Sequence, residues 1–166
     1  GIRDSSVTGV QTCALPICDL FEKELVVGGV INADVETTPK LYNELLGTKF
    51  RIINGYNATG EIGLAMERGE LQGIGDWSWS SLVSTQPAWF RDGRAKLLLQ
   101  GSLIPSPELS HLPKALDFAR GPLERKTLEL YFTQKTVARP MLAPPGVPAE
   151  RLAALRRGFE IGRAHV

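Results

Sequence analysis

Four carboxylates, Asp34, Glu36, Glu61 and Asp76, stand just behind short apolar runs in the first half of the chain. Paired carboxylates can do acid–base catalysis, one giving a proton while the other takes it. Their positions favour a plainer role. Asp34 and Glu36 precede a predicted helix and Glu61 falls in the first turn of another, where the helix dipole stabilises negative charge. The helix starts offer a different chemistry. Residues 37–39 (Thr-Thr-Pro) and 59–61 (Thr-Gly-Glu) would each present unpaired backbone N–H groups, which bind a carboxylate without any cationic side chain. Glu61 would oppose an anion there unless turned away. Trp77 and Trp79 alternate across residues 76–80, so one can line a cleft while the other packs inside; taken singly, each is expected in the core.

Other chemistries find no support. His111 stands alone in a proline-rich stretch, and no metal-ligand spacing occurs. There is no Gly-x-Ser-x-Gly elbow and no Walker-type phosphate loop. Gly28-Gly29 echoes a dinucleotide loop but lacks the third glycine. No metal, no cofactor and no catalytic residue is expected, so the chain is not read as an enzyme.

These residues need elements to hold them. Residues 24–29 read as a short buried strand. Thr38 as N-cap and Pro39 at the first helical position predict a helix, which Gly47 would stop in the left-handed conformation. In it Leu41 and Leu45 share a face, with Tyr42 and Leu46 beside them. Residues 50–54 are the next strand. Thr59 is expected to cap a helix that buries Ile62, Ala65 and Met66 and ends at Gly69. Residues 71–74 and 96–100 are further strands, separated by a helical stretch over 80–90 that Pro87 can break. Helical segments follow at 114–120 and 123–134, then an extended piece at 138–143. A last amphipathic helix carries Leu152, Leu155 and Phe159 on one stripe. Strands alternating with helices imply a largely parallel α/β sheet, with a ligand site beyond the carboxyl ends of its strands. Three loops leave those ends, at residues 28–37, 55–60 and 75–78.

Composition narrows the class. Formal net charge is +1 with charges of both signs interspersed, so no basic stripe points to nucleic acid. Both cysteines, Cys13 and Cys18, lie near the start, leaving the rest without disulfide, zinc-knuckle or thiol chemistry. No apolar run approaches the roughly 20 residues that span a bilayer.

The two ends read differently from the middle. One codon choice for residues 12–17 yields residues 161–166 on the complementary strand, one base out of phase. The codon string resembles a common library adapter. Residues 1–18 are therefore expected to be adapter-derived and disordered, residues 160–166 adapter-derived, and the biological body residues 19–159. A signal-peptide reading of the start is disfavoured by the absence of a lysine-rich opening and a long apolar run.

The order of segments carries a resemblance. Phe50-Arg51-Ile52-Ile53-Asn54-Gly55-Tyr56, a Gly-containing loop, then Glu61 through Gly69-Glu70-Leu71 resembles the Bug-type solute-binding receptors of tripartite tricarboxylate transporters. Leu142-Ala143-Pro144-Pro145-Gly146-Val147-Pro148 followed by Arg151-Leu152 is similar to that family's return strand and helix start. His111-Leu112-Pro113 and residues 75–81 fit the same pattern. Two departures stand out: the family's Lys-Gly after Tyr is Asn57-Ala58 here, and its strand Asp is Gln72. The resemblance implies an α/β, type II periplasmic-binding-protein-like fold, with one nearly complete lobe plus part of the other. Residues 19–137 would be the second lobe and 138–159 the return into the first, leaving the final helix without the sheet it packs on and the folding of this piece incomplete. It also implies a periplasmic or extracytoplasmic receptor that closes on a small organic acid and passes it to membrane transporter subunits. Loop position plus this resemblance picks Asn32, Ala33, Asp34, Tyr56, Asn57, Thr59, Gly60 and Trp77 as ligand contacts. The alternative is the effector-binding domain of a LysR-type transcription regulator, which shares the two-lobe fold and would carry a DNA-binding segment upstream.

Overall fold

The structure, a computed structural model, describes residues 6–8, 17–104, 106–136 and 142–163. In chain order its elements are β1 (Ser6–Thr8), α1 (Asp19–Glu22), β2 (Leu25–Gly29), α2 (Asp34–Leu46), β3 (Phe50–Asn54), α3 (Thr59–Glu67), β4 (Gly73–Ile74) and β5 (Trp77–Ser78). Then come α4 (Trp79–Thr85), α5 (Pro87–Arg91), β6 (Leu99–Gly101), two 3₁₀ turns (Pro107–Leu109 and Ala115–Phe118), α6 (Pro122–Thr136) and α7 (Ala149–Arg163).

β2 is the middle strand of a parallel sheet, with β3 on one side and β4 on the other. Side chains alternate across a strand, and here both faces are covered. Leu25 and Val27 join Tyr42 and Leu46 of α2 in one core, completed by Phe50, Leu99, Leu128 and Phe132. Val26 packs against the other core, built on Ile62, Ala65 and Met66 of α3 with Leu71, Ile74, Trp77, Leu82 and Trp89. The face read from the spacing of Ile62, Ala65 and Met66 is thus the buried one. In α2 the fully buried stripe is Tyr42 and Leu46, while Leu41 and Leu45 are half-buried.

Helix α2 begins earlier than the Thr38-Pro39 pair suggests. Its N-cap is Ala33, and Pro39 lies inside it. The early turn is held by Glu36, whose Oε2 accepts the Asn32 N–H at 2.8 Å, a reach-back of the capping-box kind. Pro39 deprives the Val35 carbonyl of its intrahelical donor. The buried ring packs instead on Gly75, where a Cβ would come 2.4 Å from Pro39 Cγ. Thr38, expected as a cap, is fully buried. Gly47 ends the helix in the left-handed region at φ 80°, as read, and Arg120 Nε donates to the Leu46 carbonyl at 3.0 Å. Thr59 is likewise the first residue of α3 rather than its cap, which is Ala58.

The last predicted strand does not extend the parallel sheet. Leu99–Gly101 pairs in a separate antiparallel sheet of order β5-β1-β6. Its middle strand, Ser6–Thr8, falls inside the segment read from sequence as adapter-derived. Residues 1–5, 9–16 and 164–166, and positions 138–141 of the extended piece expected at 138–143, lie outside the described residues. On α7, Leu152 is half-buried and Leu155 is 62% exposed; the Phe159 side chain is outside the description.

Gly75 gives a direct check on the packing. Gly75→Ala should destabilise the chain by about 1–3 kcal/mol, because the rigid Pro39 ring cannot yield to the new methyl. Gly158→Ala, where a Cβ meets nothing within 4 Å in a helix interior, should not lower the melting temperature. Thermal unfolding of the two variants measures both.

Candidate functional site

The parallel register brings Gly29 of β2 beside Asn54 of β3, and Gly28 beside Ile74 of β4. All three strands therefore end along one edge, and the loops at 30–33, 55–58 and 75–76 leave from it. Asn32 adopts φ 60°, the one positive φ outside glycine among the described residues. Its N–H is held by Glu36 Oε2, while Glu36 Oε1 accepts from Lys40 Nζ at 2.6 Å and from Asn54 Nδ2 at 2.8 Å. These donors lower the Glu36 carboxyl from 4.5 to about 2, Lys40 first, then the Asn32 N–H and the Asn54 amide. In the neighbouring loop Glu61 plays a similar part. Its Oε2 accepts the Asn57 N–H at 2.9 Å, and both its oxygens lie 3.2 Å from Asn57 Nδ2. The Asn57 backbone and side-chain donors hold that carboxyl below its usual range.

Both helix starts keep donors in reserve. At α2 the N–H groups of Glu36 and Thr37 bond the Ala33 carbonyl, each at 3.0 Å. At α3 those of Glu61 and Ile62 bond the Ala58 carbonyl at 3.1 and 3.4 Å. The earlier N–H groups, of Asp34 and Val35 and of Thr59 and Gly60, have no carbonyl a turn behind them within the helix. Gly60 faces open space, with nothing within 4 Å of an added Cβ. Each helix start can therefore donate two backbone hydrogen bonds to an anion.

Seven of the eight residues picked from sequence lie in these two loops or helix starts. Asn32, Asp34, Asn57 and Gly60 are exposed; Ala33, Tyr56 and Thr59 are half-buried, and Tyr56 packs against the α3 core. Trp77 is apart from them. It is 4% exposed, meets Trp89 edge-on at 6.1 Å, and its Nε1 donates to Ser81 Oγ at 3.4 Å. It supports the core under the loops instead of lining a cleft.

Sequence reasoning missed a polar cluster beside this edge. Asp76, 2% exposed, accepts from Thr38 Oγ1 at 2.5 Å and from Lys135 Nζ. The Tyr131 hydroxyl lies 2.7 Å from Thr38 Oγ1 and donates to Asp34 Oδ1 at 3.3 Å. Lys135 Nζ sits 5.1 Å from the Tyr131 ring centroid and 3.9 Å from Asp34 Oδ2. Burial, with Asp34 and Asp76 nearby, pushes the Tyr131 phenol up, against the hydrogen bond with Thr38. Tyr131 and Lys135 stand one turn apart on α6, a spacing visible in sequence. Their partners are 59 to 97 residues away, a separation that periodicity does not reveal.

A depression of about 230 Å³ lies elsewhere, lined by Met66, Glu67, Trp89, Arg94 and Ala95. It sits at the closing turn of α3, the end opposite Thr59 and Gly60, and Glu67 there accepts from Trp89 Nε1 at 2.9 Å. Among the described residues no group of three or more His, Cys, Asp or Glu is placed to hold a metal ion. Nor is any helix among them long and apolar enough to cross a membrane.

No protein-family model matches the chain, and no curated protein matches it by sequence at a significant level. Solved structures do. A TctC solute-binding protein from Polaromonas, without ligand, aligns at TM-score 0.52 and 12% identity over 82% of this chain and 55% of that one. An R. palustris protein solved with adipate aligns at TM-score 0.54 and 16% identity over 77% of this chain and 50% of that one. The fold is thus the α/β fold of these proteins, as the segment order suggested, and the chain spans about half the length of each.

Two measurements test the electrostatics. A carboxyl that folding acidifies adds stability above its unfolded value and loses it as the pH falls through its folded value. Glu36 should therefore withdraw stability between pH 4.5 and about 2, and Glu36→Gln should flatten that part of the urea-midpoint profile. For the buried pair, Lys135→Met alone should cost about 3 kcal/mol by stranding Asp76, while Asp76→Leu with Lys135→Met should recover at least half of it. Denaturant unfolding of the single and double variants would show the pair to be inert if both unfold together with wild type.

Proposed function

We propose that this chain is the greater part of one lobe of an extracytoplasmic solute-binding receptor, which captures a small organic acid for a tripartite tricarboxylate-type transporter. In this reading residues 19–137 form the second lobe and 138–159 return toward the first. The observation that carries it is the pair of helix starts, α2 and α3, side by side beyond adjacent parallel strand ends, in a fold shared with a TctC solute-binding protein. The neighbour solved with adipate supports a carboxylate as the ligand class.

The mechanism is capture. Backbone N–H groups of Asp34 and Val35 or of Thr59 and Gly60 take a carboxylate, with Asn32, Ala33, Tyr56 and Asn57 around it. Glu61 is turned back onto Asn57, so its charge is engaged by donors rather than aimed across the α3 start. A second lobe would close over the solute, and no bond is made or broken, which is why the protein is read as a receptor rather than an enzyme. The LysR-type alternative draws on the same two-lobe fold and gains no separate support.

Thr59→Pro isolates the backbone donor. Proline is tolerated at the first helical position, and Ala58 before it is already extended. The helix should persist while one N–H is lost. Calorimetric titration with adipate should show binding to the chain, weakened roughly tenfold in Thr59→Pro, the effect of one charge-assisted hydrogen bond. A chain that neither releases heat nor gains thermal stability with adipate, succinate or citrate is not the lobe of a carboxylate receptor.

A further inference from the structure

Three elements converge on one side chain. Glu36 rises from the first turn of α2 and is 7% exposed. One of its oxygens holds the N–H of Asn32, the residue in the left-handed region, and the other holds the side-chain amide of Asn54 at the end of β3. Lys40, one turn further along α2, fixes the carboxylate from its own helix. The space that Asn54 occupies is supplied by β2. A Cβ on Gly29 would lie 2.3 Å from Asn54 Oδ1 and 2.7 Å from Ile52 Cγ2. Asn54 is followed by Gly55, at φ 122°, where the chain turns toward α3.

From this we infer that Glu36 is a positioning residue. It braces the loop before α2 against the strand end that launches the loop before α3, and so fixes the gap between the two helix starts. Asparagine tolerates φ 60° better than other residues that carry a side chain, and here the Glu36 bond to its N–H holds that conformation in one place. The consequence for ligand choice rests on the solute-binding reading: a fixed gap selects solutes by size and shape at the two helix starts, whereas a sprung one would accept a range. Glu36 does this without touching the solute, since its carboxylate is taken up by protein donors.

The test is amide hydrogen exchange on the whole chain, with adipate as probe. Asn54→Ala alters a side chain on a different strand from Asn32, yet it should speed exchange at the Asn32 amide about fivefold or more, with Tyr42, Leu46, Ile62 and Met66 unchanged within about twofold. Glu36→Ala should do the same, and the double variant should add little to the larger single effect. Gly29→Ala, displacing Asn54 from β2, should reproduce the phenotype by a third route. Adipate should bind Asn54→Ala about tenfold more weakly than wild type, a coupling of the size typical for linked sites. An Asn32 amide unmoved by Asn54→Ala, or loosening spread evenly over core and loops, overturns the brace. Adipate ignored by the wild-type chain overturns the solute-binding reading instead, and the Asn32 amide still decides the brace.

Discussion

Two side chains are missing where β2 ends, and the space they leave governs the packing around the edge of the sheet. At Gly28 a Cβ would stand 2.7 Å from both Ile62 and Leu71. Helix α3 can therefore settle directly on the strand, which seals the core formed by Ile62, Ala65 and Met66. At Gly29 the opening faces the neighbouring strand, and Asn54 fills it. One glycine sets the height of α3 over the sheet; the next admits the amide that reaches Glu36. Valine, common in buried parallel strands, would at Gly28 push against Ile62 of α3 and at Gly29 displace Asn54 of the neighbouring strand.

On the far side of α2 the interior is polar. Thr38, Asp76 and Lys135 bring together α2, the turn between β4 and β5, and the last turn of α6, with Tyr131 and Asp34 carrying the contacts outward. A buried ion pair contributes little net stability, because desolvation offsets attraction. Its geometric demand is stricter. Apolar contacts let helices slide by a fraction of an ångström; an ammonium bonded to a buried carboxylate does not. The cluster thus specifies where α6 meets the sheet, while Leu128 and Phe132 supply the burial that makes the contact favourable.

The elements most legible in the sequence are those whose information is local. The strand over residues 50–54, the buried stripe of α3, the stop at Gly47 and the break near Pro87 follow from spacing and from two unusual residue types. Where tertiary contacts overrule local preference, the reading fails. Thr38-Pro39 has the chemistry of a helix start, yet Glu36, Asn32 and Asn54 draw the start back to Asp34, and Thr38 is drawn inward by Asp76. The strand near residue 99 has a strand's composition, but composition does not say which sheet it joins. The loops beyond the strand ends were legible as stretches of glycine and small polar residues after strands. The partners that hold them, Asn54, Tyr131 and Lys135, were not, because each acts across a contact that no short window spans.

Asn54 also gives the edge a finite chemical lifetime. Asparagine followed by glycine is the pairing in which the next backbone nitrogen most readily attacks the side-chain amide, because glycine places no side chain in its way; asparagine is among the thermally labile residues for this reason. In this structure the amide nitrogen that would leave as ammonia is the one bonded to Glu36. Its loss, followed by uptake of water, would set a carboxylate against a carboxylate at the point where a donor had met an acceptor. Attraction would become repulsion with no change in the encoded sequence, and protein aged in warm, mildly alkaline buffer would carry an opened edge on an intact core.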